Sequence, residues 1–390
     1  MLIAAILLSA AVHAESWCAY PLHAHEWGVE VFRADGHREP PVAMPGWFHG
    51  EAPSAGPEGT PVRTLPADSG VRTLPVVHFY GPGRWADTVP LAVEVGFSQG
   101  RAAAWYPQAD LLRSPEEANG GAARRQLAAL QKQRAERQAF MGDSGYLPGD
   151  PTAQLVWDAL SLSPEPASSP QETDVSWVPA LRGLDALWVN QGGESERFLF
   201  YEADTSERPA LRVERGETWS PQRPHYLLHN DTDHPVHSVL VLTEGGTLGF
   251  YAPQIPAGSS AGFLLDKPGP DDPRALLKDA LVDHAQPVLA TDYSWAREDC
   301  VMGRDPAVPV TQASDHRLFE PEVDAILEIW GERFFAADDT VILYREDTES
   351  LAELMPLSLY TDMFHFLDLR RLGLVLWEGL DLAALTEGGS

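Results

Sequence analysis

The chain has 390 residues and a formal charge of −29, from 57 acidic against 28 basic side chains. That balance excludes nucleic acid and anionic membrane surfaces as natural partners, because the long-range electrostatic term is repulsive. A hydrophobic fraction of 44% is enough for substantial cores, and the length implies two or three domains.

Met1 to Val12 is an uncharged apolar run. It has the length of a signal-peptide core and is too short to span a bilayer, which takes about 20 residues. Small residues at Val12-His13-Ala14 place the expected cleavage after Ala14, so residues 1–14 are read as a signal peptide. No later stretch is apolar for long enough to cross a membrane, and the mature chain is expected to be periplasmic or extracellular. Cys18 and Cys300 are the only cysteines. An exported chain with one available pair most simply oxidises it, giving an expected Cys18–Cys300 disulfide. The loop so closed is nearly the whole mature chain, for which chain entropy sets a ceiling of roughly 5 kcal/mol.

Residues 15–160 read as an N-terminal β-rich domain. It opens with His23-Ala24-His25-Glu26-Trp27-Gly28. In an extended strand, residues two apart share a face, so His23 and His25 can present two imidazoles to one Zn or other divalent metal ion. Glu26 then points the other way, and Glu30 is better placed as a third ligand; His78 is the distant histidine of choice. The alternative is a buried, hydrogen-bonded His-Glu pair beside Trp27. Pro and Gly crowd positions 36–70 and exclude long regular elements. Alternating runs at Val76 to Tyr80 and Leu91 to Val95, then Ala104-Trp105-Tyr106, predict antiparallel strands. Gly121 to Phe140 has helical composition with a basic stripe from Arg124, Arg125, Lys132, Arg134 and Arg137.

Residues 161–174, with three prolines and four serines, predict a linker. Residues 175–266 predict a second sandwich-like domain, with short strands at 186–189, 197–201, 225–229, 236–243, 247–251 and 262–265. Residues 272–390 predict an α+β region: a helix from Pro273 toward His284, a helix from Pro321 burying Val323, Ile326, Leu327, Trp330 and Phe334, a strand at Thr340 to Tyr344, and an apolar segment from Leu367 to Trp377. The fold class is therefore mainly β: two antiparallel sandwich-like regions, an inserted helix, and a helix-strand C-terminal part.

Two other segments carry reactive residue types. His225, His229, Asp231, Asp233, His234 and His237 suit a Zn or Ca site, but Asn230 to Asp233 between two apolar runs also reads as a hairpin turn without metal. Gly142-Asp143-Ser144-Gly145 copies the nucleophile tetrapeptide of chymotrypsin-like proteases. Tyr146 follows where those enzymes have a glycine, and no segment supplies the base, so a helix C-terminal turn is the reading. The spacing of His23, His25 and Glu30 comes near a cupin metal motif, yet Ile255-Pro256-Ala257-Gly258 is followed by Ser259 and Ser260 where a cupin needs histidine.

His25-Glu26-Trp27-Gly28 after a signal peptide and a cysteine resembles a family of secreted bacterial proteins that begin with an HEWG motif. Arg72 to Tyr80 is similar to that family's R-x-x-P-V-x-x-F-Y strand, Trp105-Tyr106-Pro107 to its W-Y-P segment, and Glu196 to Tyr201 to its E-K/R-F-L-F-Y strand. Val29-Glu30 departs from the Thr-Phe that usually follows HEWG. The resemblance implies export and a shared fold, and it brings no activity or catalytic residues.

Two function classes follow. One is a non-enzymatic exported scaffold that binds a protein or glycan partner, with Trp47, Trp105 and Trp219 as platforms. The other is a metal-dependent hydrolase using His23, His25, Glu26 and His78. Neither cofactor nor oligomeric state is legible.

Overall fold

The computed structural model describes residues 21–34, 44–50, 54–55, 61–62, 70–81, 88–98, 101–113, 153–205, 208–216, 225–265, 272–284, 310–361 and 366–385. The expected signal peptide, both cysteines, the 121–140 helix, the 142–145 tetrapeptide and Trp219 lie outside them.

In chain order the strands are β1 (Pro21–Arg33), β2 (His49–Gly50), β3 (Ser54–Ala55), β4 (Pro61–Val62), β5 (Gly70–Tyr80), β6 (Val89–Phe97), β7 (Arg101–Tyr106), β8 (Leu111–Arg113), β9 (Ala153–Ser163) and β10 (Trp188–Gln191). They continue as β11 (Glu194–Glu196), β12 (Leu199–Thr205), β13 (Leu211–Arg215), β14 (His225–Asn230), β15 (Val236–Thr243), β16 (Thr247–Ile255), β17 (Ser260–Leu264), β18 (Thr340–Arg345), β19 (Leu357–Tyr360) and β20 (Phe366–Leu380). Among the described residues four α-helices accompany them: α1 (Trp177–Arg182), α2 (Pro273–Leu281), α3 (Glu320–Phe335) and α4 (Thr348–Leu354). The protein is mainly β with few helices, as composition and alternation predict.

A nine-stranded sheet in the order β16-β15-β18-β20-β1-β5-β12-β7-β2 organises the molecule. It is antiparallel throughout except between β1 and β20, which run parallel over thirteen register pairs from Pro21↔Phe366 to Arg33↔Glu378. Parallel neighbours cannot be joined by a tight turn, so this pairing brings the two ends of the described chain together. One sheet thus draws strands from all three segments that composition separates. The first three residues of the expected 161–174 linker complete β9 and pair with β10, and the rest is irregular chain lying along the sheet, where Ala167 N donates to Asn190 Oδ1 at 2.8 Å and Ser168 N to Ser195 Oγ at 3.0 Å.

The two faces of the large sheet are covered differently. On one, Leu22, Ala24, Val77 and Phe79 pack against Leu91, Val93, Leu155 and Trp157 of a six-stranded sheet, β11-β10-β9-β6-β19 with β8 beside β9. Further along the same face, Phe32, Val241 and Ile342 pack against Leu211, Leu228 and Phe263 of the three-stranded sheet β13-β14-β17. On the other face, Trp27, Val29, Val76 and Leu374 lie beneath α1, α2 and α3 through Trp177, Leu277, Val323, Ile326 and Trp330.

Helix α3 forms where the Val323-Ile326-Leu327-Trp330-Phe334 spacing predicts it, with Pro321 in its first turn. Helix α2 likewise starts at Pro273, capped by Asp272, whose side chain accepts from Arg274 N. The expected hairpin across Asn230 to Asp233 is not formed. β14 pairs with β13 and β17, whereas β15 pairs with β16 and β18, so this connection passes from one sheet to another.

Trp27 lies at the centre of the sheet beneath these helices and is 1% exposed. Trp27→Ala should lower the unfolding free energy by about 3–5 kcal/mol. Urea unfolding followed by far-ultraviolet circular dichroism measures it, and a loss below about 1 kcal/mol would place Trp27 outside the essential core.

Candidate functional site

Every residue of β1 from Leu22 to Glu30 is buried, so each ionisable side chain among them must find a partner inside the protein. Strand alternation sends His23, His25 and Trp27 toward the helices, and Leu22, Ala24 and Glu26 toward the six-stranded sheet. The two neighbours His25 and Glu26 therefore belong to separate polar clusters.

Glu26 faces Arg371 of β20, its register partner across the parallel ladder. Arg371 Nη2 donates to Glu26 Oε1 at 3.1 Å, its Nε donates to Oε2, and the Tyr201 hydroxyl donates to the same carboxylate. The geometry is a fork-like guanidinium-carboxylate pair with a phenol as third donor, fully inside the sheet sandwich.

On the helix face, His25 is opposed by His78 across the β1/β5 ladder, and His23 by Tyr80. Into this group reaches Glu322, from the first turn of α3. Its Oε2 is 2.6 Å from His25 Nδ1 and accepts from Phe319 N at 3.1 Å, while its Oε1 is 4.0 Å from His78 Nδ1. Burial alone would raise the Glu322 pKa, but the His25 imidazole, its hydrogen bond and His78 hold the carboxyl below its ordinary value. The positive end of α3 works in the same direction. Burial drives His78 down to about 4 against the attraction of Glu322, so the ring is neutral at physiological pH. Burial and the adjacent Glu322 carboxylate push the Tyr80 phenol well above its usual range. Phe319 closes the group, with its ring centroid 4.6 Å from that of His25 and 5.5 Å from that of His23.

From His23 the network runs toward the surface. His23 Nδ1 is 3.0 Å from Asp368 Oδ2, which also accepts from Arg370 Nε at 3.1 Å, while Ser314 Oγ donates to Asp368 Oδ1. Arg370 Nη1 donates to Asp283 Oδ2 at 2.6 Å and to the Arg317 carbonyl at 2.8 Å. Ser314, Asp368 and His23 are three residue types of a hydrolytic triad in the wrong order, because the serine and the histidine both bind the carboxylate and not each other. The arrangement can transmit or hold a proton, but it does not activate the serine.

The predicted metal set is only partly brought together. His23, His25 and His78 share one face; Glu26 lies across the sheet, and Glu30, on the Glu26 side of β1, lies there too. His23 Nε2, His25 Nε2, both nitrogens of His78 and Glu322 Oε1 are buried without a hydrogen-bond partner. These atoms have the chemistry of metal donors, yet they do not converge. Among the described residues, the trio whose ligand atoms all lie within 4.8 Å of one another is His234, Asp347 and Glu349. The proposed Zn or other divalent ion at His23, His25, Glu26 and His78 therefore does not fit this geometry as a four-residue set.

The histidines of the 225–237 segment divide between two places. His229 sits between Glu214 at 2.8 Å and Ser260 Oγ at 2.6 Å, whereas His234, 3.1 Å from Glu353, and His237, 3.0 Å from Asp347, both lie at the Asp347 carboxylate. Sequence reasoning missed Glu322, Arg371, Asp368 and Arg370. All four carried a readable sign: Asp368, Arg370 and Arg371 are charges inside an otherwise apolar run, and Glu322 follows the helix-starting Pro321.

No protein-family model and no curated protein matches the chain. Among solved structures it is similar to the Fcho1 Mu homology domain of Danio rerio with bound Eps15 peptide, at 9% identity, over 93% of this chain and 96% of that one. The TM-score is 0.27, a level that carries no argument about fold or function.

Breaking the buried Glu26–Arg371 pair from one side, as in Arg371→Met, should cost about 3–5 kcal/mol, because a carboxylate is left uncompensated. Glu26→Gln combined with Arg371→Met should recover part of that loss in urea unfolding; a double variant weaker than the sum of the singles would contradict the pairing. Acid should also weaken the protein through His78. Between pH 6.5 and about 4 the unfolded chain binds a proton there that the folded chain refuses, so stability falls with pH in this window by up to about 3 kcal/mol. His78→Asn should flatten that slope in chemical denaturation series, and an unchanged slope would assign the acid sensitivity elsewhere.

Proposed function

We propose that this protein is a non-enzymatic exported binding or scaffold protein whose partner is a protein or, on the chemistry of its sheet edge, a glycan. The observation that carries the reading is the commitment of the HEWG strand to the fold: Glu26 to Arg371 and Tyr201, His25 to Glu322, on opposite faces. Its ionisable groups brace the sheet and leave no shared, open face for chemistry. The likeness to secreted HEWG-bearing proteins, the leader-like residues 1–14 and a Cys18–Cys300 bridge belong to the same proposal. No described helix is long and apolar enough to cross a membrane.

The best-supported contact surface lies at the β2 edge of the large sheet. Trp47 and Phe48 are partly exposed there, with ring centroids 4.6 Å apart, and Arg182 lies 5.9 Å from the Trp47 ring. His49 and Glu194, 2.7 Å apart, add polar groups beside the rings. Aromatic faces for sugar C–H groups, with carboxylate and imidazole for hydroxyls, are what a glycan needs. Trp105, by contrast, is buried.

A glycan array probed with the full-length chain tests the reading. Binding to a discrete glycan class that falls at least about tenfold in Trp47→Ala and persists in His25→Gln is the expected outcome; tenfold corresponds to about 1.4 kcal/mol. Ester, phosphoester or peptide hydrolysis abolished by His25→Gln, together with a metal lost in the same variant, would favour the metal-dependent hydrolase instead.

A further inference from the structure

We propose that His234, Asp347 and Glu349 form a binding site for one divalent transition cation of the Zn2+ type. One ligand atom from each residue lies within 4.8 Å of the other two. Small side-chain rotations then suffice to reach the roughly 2.0–2.2 Å that zinc requires from imidazole nitrogen and carboxylate oxygen. His234 comes from the connection between β14 and β15, and the two acids from the N-terminal end of α4. An ion held there clips the crossover between two sheets onto that helix.

The surroundings are built for a ligand carboxylate. His237 Nε2 lies 3.0 Å from Asp347 Oδ2, and Glu349 N donates to Asp347 Oδ1 at 2.8 Å, which fixes the carboxylate orientation. Each oxygen keeps a further lone pair for a cation, and an orienting partner behind a ligand is the usual outer-shell arrangement. His234 Nε2 is 3.1 Å from Glu353 Oε2, so the ring either offers its other nitrogen or exchanges that contact for the ion. Glu353, which is exposed, is then available as a fourth donor.

The donor set selects the cation. One imidazole with two carboxylates suits Zn2+ better than Ca2+ or Mg2+, which prefer oxygen alone. Arg345, buried beside Asp347 and His237, opposes the ion's charge and lowers its affinity. This site shares no residue with the HEWG strand or with the Trp47 edge, so it stands or falls independently of the binding reading.

Isothermal titration of the full-length chain with zinc chloride, after chelator treatment and dialysis, tests the proposal. One equivalent of Zn2+ should bind, and both His234→Ala and Glu349→Gln should weaken it at least tenfold. His284→Ala, which alters a separate exposed His–Asp pair with Asp279, should leave binding unchanged. Circular dichroism establishes that the variants are folded, since neither residue belongs to a core cluster. Absence of saturable Zn2+ binding, or an affinity in both ligand variants equal to that of the unaltered chain, overturns the site.

Discussion

The structure depends on one constraint: a central strand buried on both faces carries four ionisable side chains, and none of them can reach water. His23, His25, Glu26 and Glu30 are each at most 3% exposed. Moving a lone charge into such surroundings is prohibitive, so the fold must supply a counter-group for each. It supplies Arg371 and Tyr201 for Glu26 on one side of the sheet, and Glu322 and Asp368 for the histidines on the other. Because these partners sit on β12, β20 and α3, meeting the requirement positions three distant parts of the chain at once.

That arrangement explains why β1 and β20 pair in parallel within an otherwise antiparallel sheet. The register sets Glu26 beside Arg371 and His23 beside Asp368, so the complementary charges coincide over the same few residues. A slip by one residue would carry Arg371 to the helix face and Arg370 toward Glu26, reversing both clusters. Charge pairing thus adds register specificity to a strand whose apolar residues alone would tolerate more than one alignment. The helix contributes in the same way: Glu322 satisfies the Phe319 N–H at the start of α3 and holds His25, joining helix position to strand identity.

Much of this was legible before the structure. The alternating runs at 76–80 and 91–95 and the short apolar run at 236–243 became strands, and Pro273 and Pro321 began helices, because local composition, periodicity and proline position express physics that acts within a dozen residues. The opposite orientations of His25 and Glu26 also followed from alternation. The partners did not, since Glu322 lies 297 positions from His25 and Arg371 lies 345 from Glu26, and no local pattern encodes a contact at that separation. The same limit affected the 225–237 histidines. Their closeness in sequence suggested one site, but β14 and β15 join different sheets and carry His225 and His229 away from His237, while His234 meets acids more than a hundred residues away.

β1 is the strand on which the rest of the protein closes. Native-state hydrogen exchange followed by mass spectrometry tests this. Amides of residues 22–30 should exchange only through global unfolding, with the same dependence on denaturant as the slowest amides of β5 and β20. Exchange of that segment through a local opening, well before β5 and β20 lose protection, would show that the protein does not close on β1.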